Sequence, residues 1–236
     1  MQAQPKMSFS IFMTILGPSM AYMITTIEPL PLSLNLPEIT KELGIPSDLV
    51  GFTGSDATLV VAAVVLGVGN LGDFYGLKRL LIYGFVGSVV FEVLAALSPN
   101  YQFLIAMRFL DGLALTAMLG LSLALLTVSA PEQVRPVAIG YFLAINAIFY
   151  GITPVISGWV VENFGWRAMF LIVVPLAVAG LLLTMKFVAE PPPKEGRKLD
   201  VFGMVLFGVA LVGFIYGIGR IPNGFTDPRT WIPLGY

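Results

Sequence analysis

Apolar stretches of about 20 residues, the length needed to cross a bilayer as α-helix, recur along almost the whole chain with only short polar breaks. No other feature constrains the fold as strongly. Lipid cannot satisfy unpaired backbone groups, so each such stretch must form its own hydrogen bonds as a helix. The predicted spans cover residues 8–36, 51–68, 80–97, 101–128, 137–161, 168–187 and 201–219, and an eighth begins at 231–236. With 57% hydrophobic and only 11% charged residues, the composition is far from that of a soluble domain. The expected fold is therefore an all-α polytopic membrane protein. Residues 1–188 form a six-helix bundle, 189–200 a charged, proline-rich cytoplasmic linker, and 201–236 an additional helix and the start of the next. Because Tyr236 falls where a span is just beginning, the chain reads as the front half of a longer protein.

Composition also narrows the chemistry. There is no cysteine and no histidine, which removes disulfides, thiolate nucleophiles, imidazole bases and the commonest metal ligands. A nucleophile–base set could come only from Ser, Lys or carboxylates, and none is suitably placed, so no enzyme, cofactor or metal is expected. A net charge of −1 without a dense basic cluster gives no footprint for nucleic acid. The apolar run after the N-terminus is too long for a cleaved signal peptide and is expected to be retained.

Lysine and arginine set the orientation. With the N-terminus inside, the inner segments hold eight of them (Lys6, Lys78, Arg79, Arg135, Lys186, Lys194, Arg197 and Lys198) and the outer segments four (Lys41, Arg167, Arg220 and Arg229). That bias favours a multi-pass protein of the cytoplasmic membrane with its N-terminus inside. The thirteenth basic residue, Arg108, belongs to neither side.

Ionisable residues within spans are costly and therefore functional candidates. Glu28 precedes Pro29 and Pro31, whose missing N–H groups break the helix and leave carbonyls without partners. Such a break is tolerated at depth only beside protein or a wet cavity. Glu28 is thus a candidate proton carrier, or else a residue snorkelling to the outer headgroups. Arg108 and Asp111 share a helix face three residues apart. Either they neutralise each other, or Arg108 alternates between Asp111 and a carboxylate such as Glu28. Asp56 is expected within reach of water near the outer end of its span, and Glu92 is expected to snorkel.

Two further patterns stand out. From Gly69 to Arg79 the chain reads G-N-L-G-D-F-Y-G-L-K-R, a polar island expected to form a tight turn. Gly69, Gly72 and Gly76 would allow close approach, Asp73 would face the positive end of the next helix, and Lys78 and Arg79 would mark the inner side. In the fifth span, Gly140, Ala144, Ala147, Gly151, Pro154 and Gly158 alternate in steps of four and three. They make one narrow face for a neighbouring helix, with a bend at Pro154.

The island resembles the G-x-L-[AG]-D-x-x-G-x-[KR]-[KR] loop between the second and third helices of the major facilitator superfamily, with Phe74 and Leu77 at positions often basic there. Arg108 and Gly112 resemble its R-x-x-Q-G signature, Asp111 replacing the amide. Aligned on Leu36-Pro37, Glu28 falls at the acidic position of D-x-T-x-x-N-x-A-L-P from the fourteen-helix drug:proton antiporter branch. Leu30, Ser33 and Asn35 depart from that pattern. Gly140, Pro154 and Gly158 fit the antiporter glycine signature, while Phe149, Thr153 and Ser157 replace glycines. Gly165-Trp-Arg-Ala-Met-Phe170 with Pro175 resembles the entrance to the sixth helix. Asp200, Gly203 and the Gly213/Gly217 pair resemble the additional helix that follows the sixth.

The resemblance implies the N-terminal half of a proton-coupled transporter exporting small lipophilic or drug-like solutes by alternating access. Glu28, Arg108 and Asp111 would couple protons. The Gly69–Arg79 segment would gate against the missing C-terminal half, one of four expected partners beside lipid, solute and protons. Met13, Met20, Met23, Tyr22, Phe142 and Phe149 are candidates for a soft, promiscuous pocket, or else face lipid. Metabolite uptake on the same fold remains an alternative, as does a non-transporting assembly or interaction subunit.

Overall fold

The computed structural model describes residues 9–192 and, beyond them, Gly203, Leu206 and Gly208–Ala210. The expected linker from Pro193 onward, Lys6, Asp200, the Gly213/Gly217 pair and the eighth span lie outside the described residues. The described elements of 9–192 are helices: α1 (Phe9–Ile27), α2 (Pro29–Leu43), α3 (Val50–Thr53), α4 (Asp56–Tyr75), α5 (Leu77–Ala96), α6 (Tyr101–Ser129), α7 (Arg135–Phe164) and α8 (Arg167–Phe187). By length and composition they supply six candidate membrane spans, with α1 and α2 forming a single 35-residue rod.

That rod is nearly continuous. The Glu28 N–H still donates to the Ile24 carbonyl at 3.0 Å, but Pro29 and Pro31 cannot donate in turn, so the ladder lapses just beyond it. The rod extends past the predicted end at residue 36 and stops at Gly44, whose φ of 64° is a left-handed cap natural to glycine. The outer loop is accordingly shorter than expected, and Lys41 lies in the last turn of α2.

A second correction concerns the polar island. Gly69, Gly72 and Asp73 belong to α4, which runs through Tyr75; only Gly76, with φ of 105°, forms the turn before α5. Apolar neighbours on both sides let the helix continue, and a single residue in a conformation open to glycine reverses the chain.

α6 packs against α1, α4 and α5, while α8 packs against α1 and α5. Between membrane helices little hydrophobic drive remains, so close packing and small residues hold them. A Cβ on Gly112 would lie 2.8 Å from the Ala57 carbonyl oxygen, and one on Gly120 2.2 Å from Val68 Cγ1. α4 and α6 thus touch almost backbone to backbone. Some buried hydroxyls spend their hydrogens within their own helices, as Ser19 to the Ile15 carbonyl at 2.8 Å and Thr116 to the Gly112 carbonyl at 2.7 Å.

Among the described spans, α7 is the least enclosed. Ala138, Phe142, Asn146, Thr153, Ser157 and Val160 face inward. The small-residue face does not: Gly140, Ala144, Ala147, Gly151, Pro154 and Gly158 are all exposed. A Cβ added at any of the three glycines would meet open space. Among the described residues, that face has no neighbouring helix.

Candidate functional site: a buried guanidinium among four carboxylates

Four helices and one helix break converge on Arg108. From α6 its Nη1 donates to, and ion-pairs with, Glu28 Oε1 at the α1–α2 junction. Its Nε lies 3.7 Å from Asp56 Oδ1 on the first residue of α4, and its Nη1 3.7 Å from Asp111 Oδ2 one turn along α6. Glu92 of α5 completes the cluster: Glu28, Glu92 and Asp111 each present an oxygen within 4.8 Å of the others. The Phe170 ring of α8 closes one side, with its centroid 6.0 Å from Arg108 Cζ. All five ionisable residues are buried, none more than 4% exposed.

The break explains why Glu28 reaches in. Where the α1–α2 ladder lapses, the carboxylate points across the bundle instead of along a helix face. Asp56 is held at the start of α4, where its Oδ1 accepts the Ala57 N–H at 2.7 Å and the helix dipole favours a negative charge. Glu92 and Ser88 lie one turn apart on α5, with Ser88 beside Asp111.

The expected link between Glu28 and Arg108 is present, and the neutralising pair Arg108–Asp111 coexists with it. Snorkelling of Glu28 to the headgroups is thereby corrected, because its side chain is buried against the guanidinium. Two other expectations fail. Asp56 is not in reach of water, since α6 seals the first turn of α4 through the close approach at Gly112. Glu92 does not snorkel, since its face of α5 turns toward α6 rather than lipid.

By formal charge the cluster carries four carboxylates against one guanidinium, an excess of three. Among the described residues, Glu28 Oε2 and Asp56 Oδ2 are buried and accept no hydrogen bond. Such an arrangement can accept hydrogen-bond donors, protons or a cation. Glu28, Glu92 and Asp111 are hard oxygen ligands of a type that could hold a metal, but the guanidinium already supplies a cation in their midst.

The soft-pocket candidates divide. Met23 and Phe142 are core residues, and Phe142 packs against Tyr22 with ring centroids 4.9 Å apart. The Tyr22–Phe142 contact joins α1 to α7. Phe149 does line one.

At the Gly76 end of the bundle the structure adds a residue that sequence reasoning missed. A carboxylate that accepts bonds at the start of α5 is Glu190, just beyond α8. It accepts the backbone N–H groups of Lys78 at 3.1 Å and Arg79 at 3.0 Å. Lys78 Nζ returns a bond to the Met185 carbonyl at 3.0 Å. At the opposite end, Arg167 pairs with Glu42, donates to the Ser98 carbonyl at 3.2 Å and stacks on Trp166 at 4.2 Å. The Trp166 Nε1–H donates to Glu42 Oε2 at 2.6 Å. The G-W-R segment therefore joins the ends of α2, α5 and α7.

The family model described as Major Facilitator Superfamily matches residues 7–234. The chain belongs to the major facilitator superfamily. Among curated members, it is 26% identical over 94% of its length to "Multidrug resistance protein Stp" of Mycobacterium tuberculosis (strain CDC 1551 / Oshkosh), covering 42% of that protein. It is 28% identical to the "Tetracenomycin C resistance and export protein" of Streptomyces glaucescens, covering 92% of this chain and 41% of the relative. It is 29% identical to "Riboflavin transporter RibZ" of Clostridioides difficile (strain 630), covering 78% and 41%. The chain thus spans about two fifths of the length of these superfamily relatives. Of solved structures, the POT family transporter PepTSo superposes with a TM-score of 0.63 at 16% identity, covering 98% of this chain and 52% of that one. The human organic anion transporter MFSD10 gives 0.58 at 16% identity, covering 97% and 60%. At such identity these two show the fold alone.

Proposed function

We propose that this chain is the first half of a secondary transporter that exports small lipophilic solutes in exchange for protons. The observation that carries the reading is the Arg108–Glu28 ion pair, buried at a helix break among three further carboxylates. A proton arriving on Glu28 removes the charge that holds Arg108. The guanidinium then turns to Asp56 or Asp111, each already 3.7 Å away. Coupling follows if proton and solute favour different conformations, each shifting the packing of α1 and α2 against α6. The unpartnered small-residue face of α7 suits close docking of a second half-bundle, and the Gly69–Arg79 segment would latch against that half at the cytoplasmic end. The orientation is N-terminus inside, in the cytoplasmic membrane, by the distribution of lysine and arginine. Export rather than import is favoured by the relatives' printed names, multidrug resistance and tetracenomycin C resistance and export.

The test is a full-length parent reconstituted in liposomes under an imposed proton gradient. Glu28→Gln is expected to abolish gradient-driven solute movement while leaving passive exchange. Undiminished gradient-driven transport would reject the proton role. Uptake of a metabolite is the second reading, favoured by the relative named as a riboflavin transporter; flux measured with the gradient in each direction separates the two. A non-transporting subunit would instead show no flux with any companion half.

A further inference from the structure

Glu92 is the member of the charge cluster to which the proposed cycle gives no task. It stands on α5, and one of its oxygens lies within 4.8 Å of an oxygen of Asp111 and of one of Glu28. Glu92 and Asp111 are each 1% exposed. Among the described residues no cation pairs with Glu92. The Arg108 guanidinium donates to Glu28 and lies 3.7 Å from both Asp56 and Asp111, while α8 turns the uncharged Phe170 ring toward it. The ionisable groups facing the Glu92–Asp111 pair are therefore Glu28, Asp56 and Arg108. The polar contact that Glu92 does make is with the carboxyl of Asp111.

Two carboxylates so close and so far from water do not both stay charged, because like charge and lost hydration work in the same direction. A hydrogen bond between two carboxyls also needs a proton on one of them, since an ionised carboxylate only accepts. Asp111 is the better seat for the remaining charge. It has the guanidinium 3.7 Å away and Ser88 beside it, whereas Glu92 has no cation. We propose that Glu92 and Asp111 form an acid–carboxylate pair sharing one proton, carried by Glu92 and donated to Asp111, and that Glu92 is thereby a positioning residue for Arg108. The pair then shows the guanidinium one negative charge, as Glu28 does on the other side. With both charged, Arg108 would face two charges between α5 and α6 and be held there. With both neutral, it would find no anion on the pair when Glu28 takes a proton. One shared proton matches the two stations. The consequence for Arg108 rests on the transporter reading; the shared proton does not, and its test involves no transport.

Infrared spectroscopy reads the proton directly. A protonated carboxyl has a carbonyl stretch apart from the amide and carboxylate bands, and the stretch shifts in heavy water. The chain would be purified in dodecyl maltoside, a detergent without carbonyl groups, and measured at neutral pH with and without isotope labelling of its glutamate carboxyls. In the unsubstituted chain, labelling should move one protonated-carboxyl band. Glu92→Gln should remove that band and Glu28→Gln should retain it. Asp111→Asn should keep the band but raise its frequency, because an amide oxygen accepts a weaker hydrogen bond than a carboxylate. Absence of a labelled band from the unsubstituted chain would overturn the proposal without recourse to any variant. So would a band that survives Glu92→Gln, one that vanishes with Glu28→Gln, or one unmoved by Asp111→Asn. Each of those failures leaves the gradient-driven flux of the full-length protein as a separate question.

Discussion

Replacing Gly112 by alanine tests how the charge cluster is sealed. A methyl there would lie 2.8 Å from the Ala57 carbonyl oxygen, 2.8 Å from Val60 Cβ and 3.0 Å from Ala57 Cα. None of these atoms is the far end of a flexible side chain, so no rotamer change relieves the contact. The first turn of α4, which carries Asp56, must move away from α6. Overpacking of this kind costs about 1–3 kcal/mol, partly offset by alanine's higher helix propensity, about 1 kcal/mol. Gly140→Ala supplies the control, since that methyl meets open space and gains the same propensity. The difference between the two variants isolates the packing cost, about 1–3 kcal/mol. At about 2–4 °C per kcal/mol for a chain of this size, that is a gap of about 2–12 °C in melting temperature. Thermal unfolding of the detergent-purified chain, followed by intrinsic fluorescence, reads it directly. Equal melting temperatures for the two variants would refute the backbone-to-backbone seal between α4 and α6.

Other substitutions probe the remaining contacts. Arg108→Met leaves four buried carboxylates without a cation and should cost about 3–5 kcal/mol; the double variant with Glu28→Gln should recover part of that loss in the same melting assay. Glu190→Ala removes the acceptor for two backbone N–H groups at the start of α5. Because the site is exposed it should cost only about 1–2 kcal/mol, and amide hydrogen exchange at Lys78 and Arg79 should accelerate. Arg167→Lys keeps the charge beside Glu42 but loses the planar stack on Trp166, with an expected loss of about 0.5–1 kcal/mol visible as a small fall in melting temperature. Gly151→Leu on the open face of α7 should leave the melting temperature of this chain unchanged, since the site meets no described neighbour; if a second half-bundle docks there as proposed, the same variant should impair transport by a full-length protein.

The architecture was readable because lipid leaves a chain so few choices. Spans 80–97, 101–128 and 168–187 differ from α5, α6 and α8 by a few residues at most. The Glu28–Arg108 contact was readable for a similar reason: a charge next to two prolines at membrane depth has few places to go. Asp56 and Glu92 misled because their distance along a helix suggested an interface. Burial there depends on which neighbour covers the face, and that is decided by the glycines of α6. Glu190 was invisible because charges in a proline-rich segment normally read as solvated linker. Its role arises only when the end of α8 lies beside the start of α5. The island from Gly69 to Gly76 was over-read as a turn, since glycine count carries less weight than apolar continuity in a span.

The bonds from Glu190 to Lys78 and Arg79 join positions 112 and 111 residues apart. During synthesis at about 5–20 residues per second, the acceptor emerges roughly 6–22 s after the donors. Over that interval α6 can already pack on α4 and α5, but the first N–H groups of α5 at Lys78 and Arg79 still lack the Glu190 acceptor. A chain interrupted before position 190 would therefore lack the acceptor for these two N–H groups, and their amide hydrogens are expected to exchange faster there.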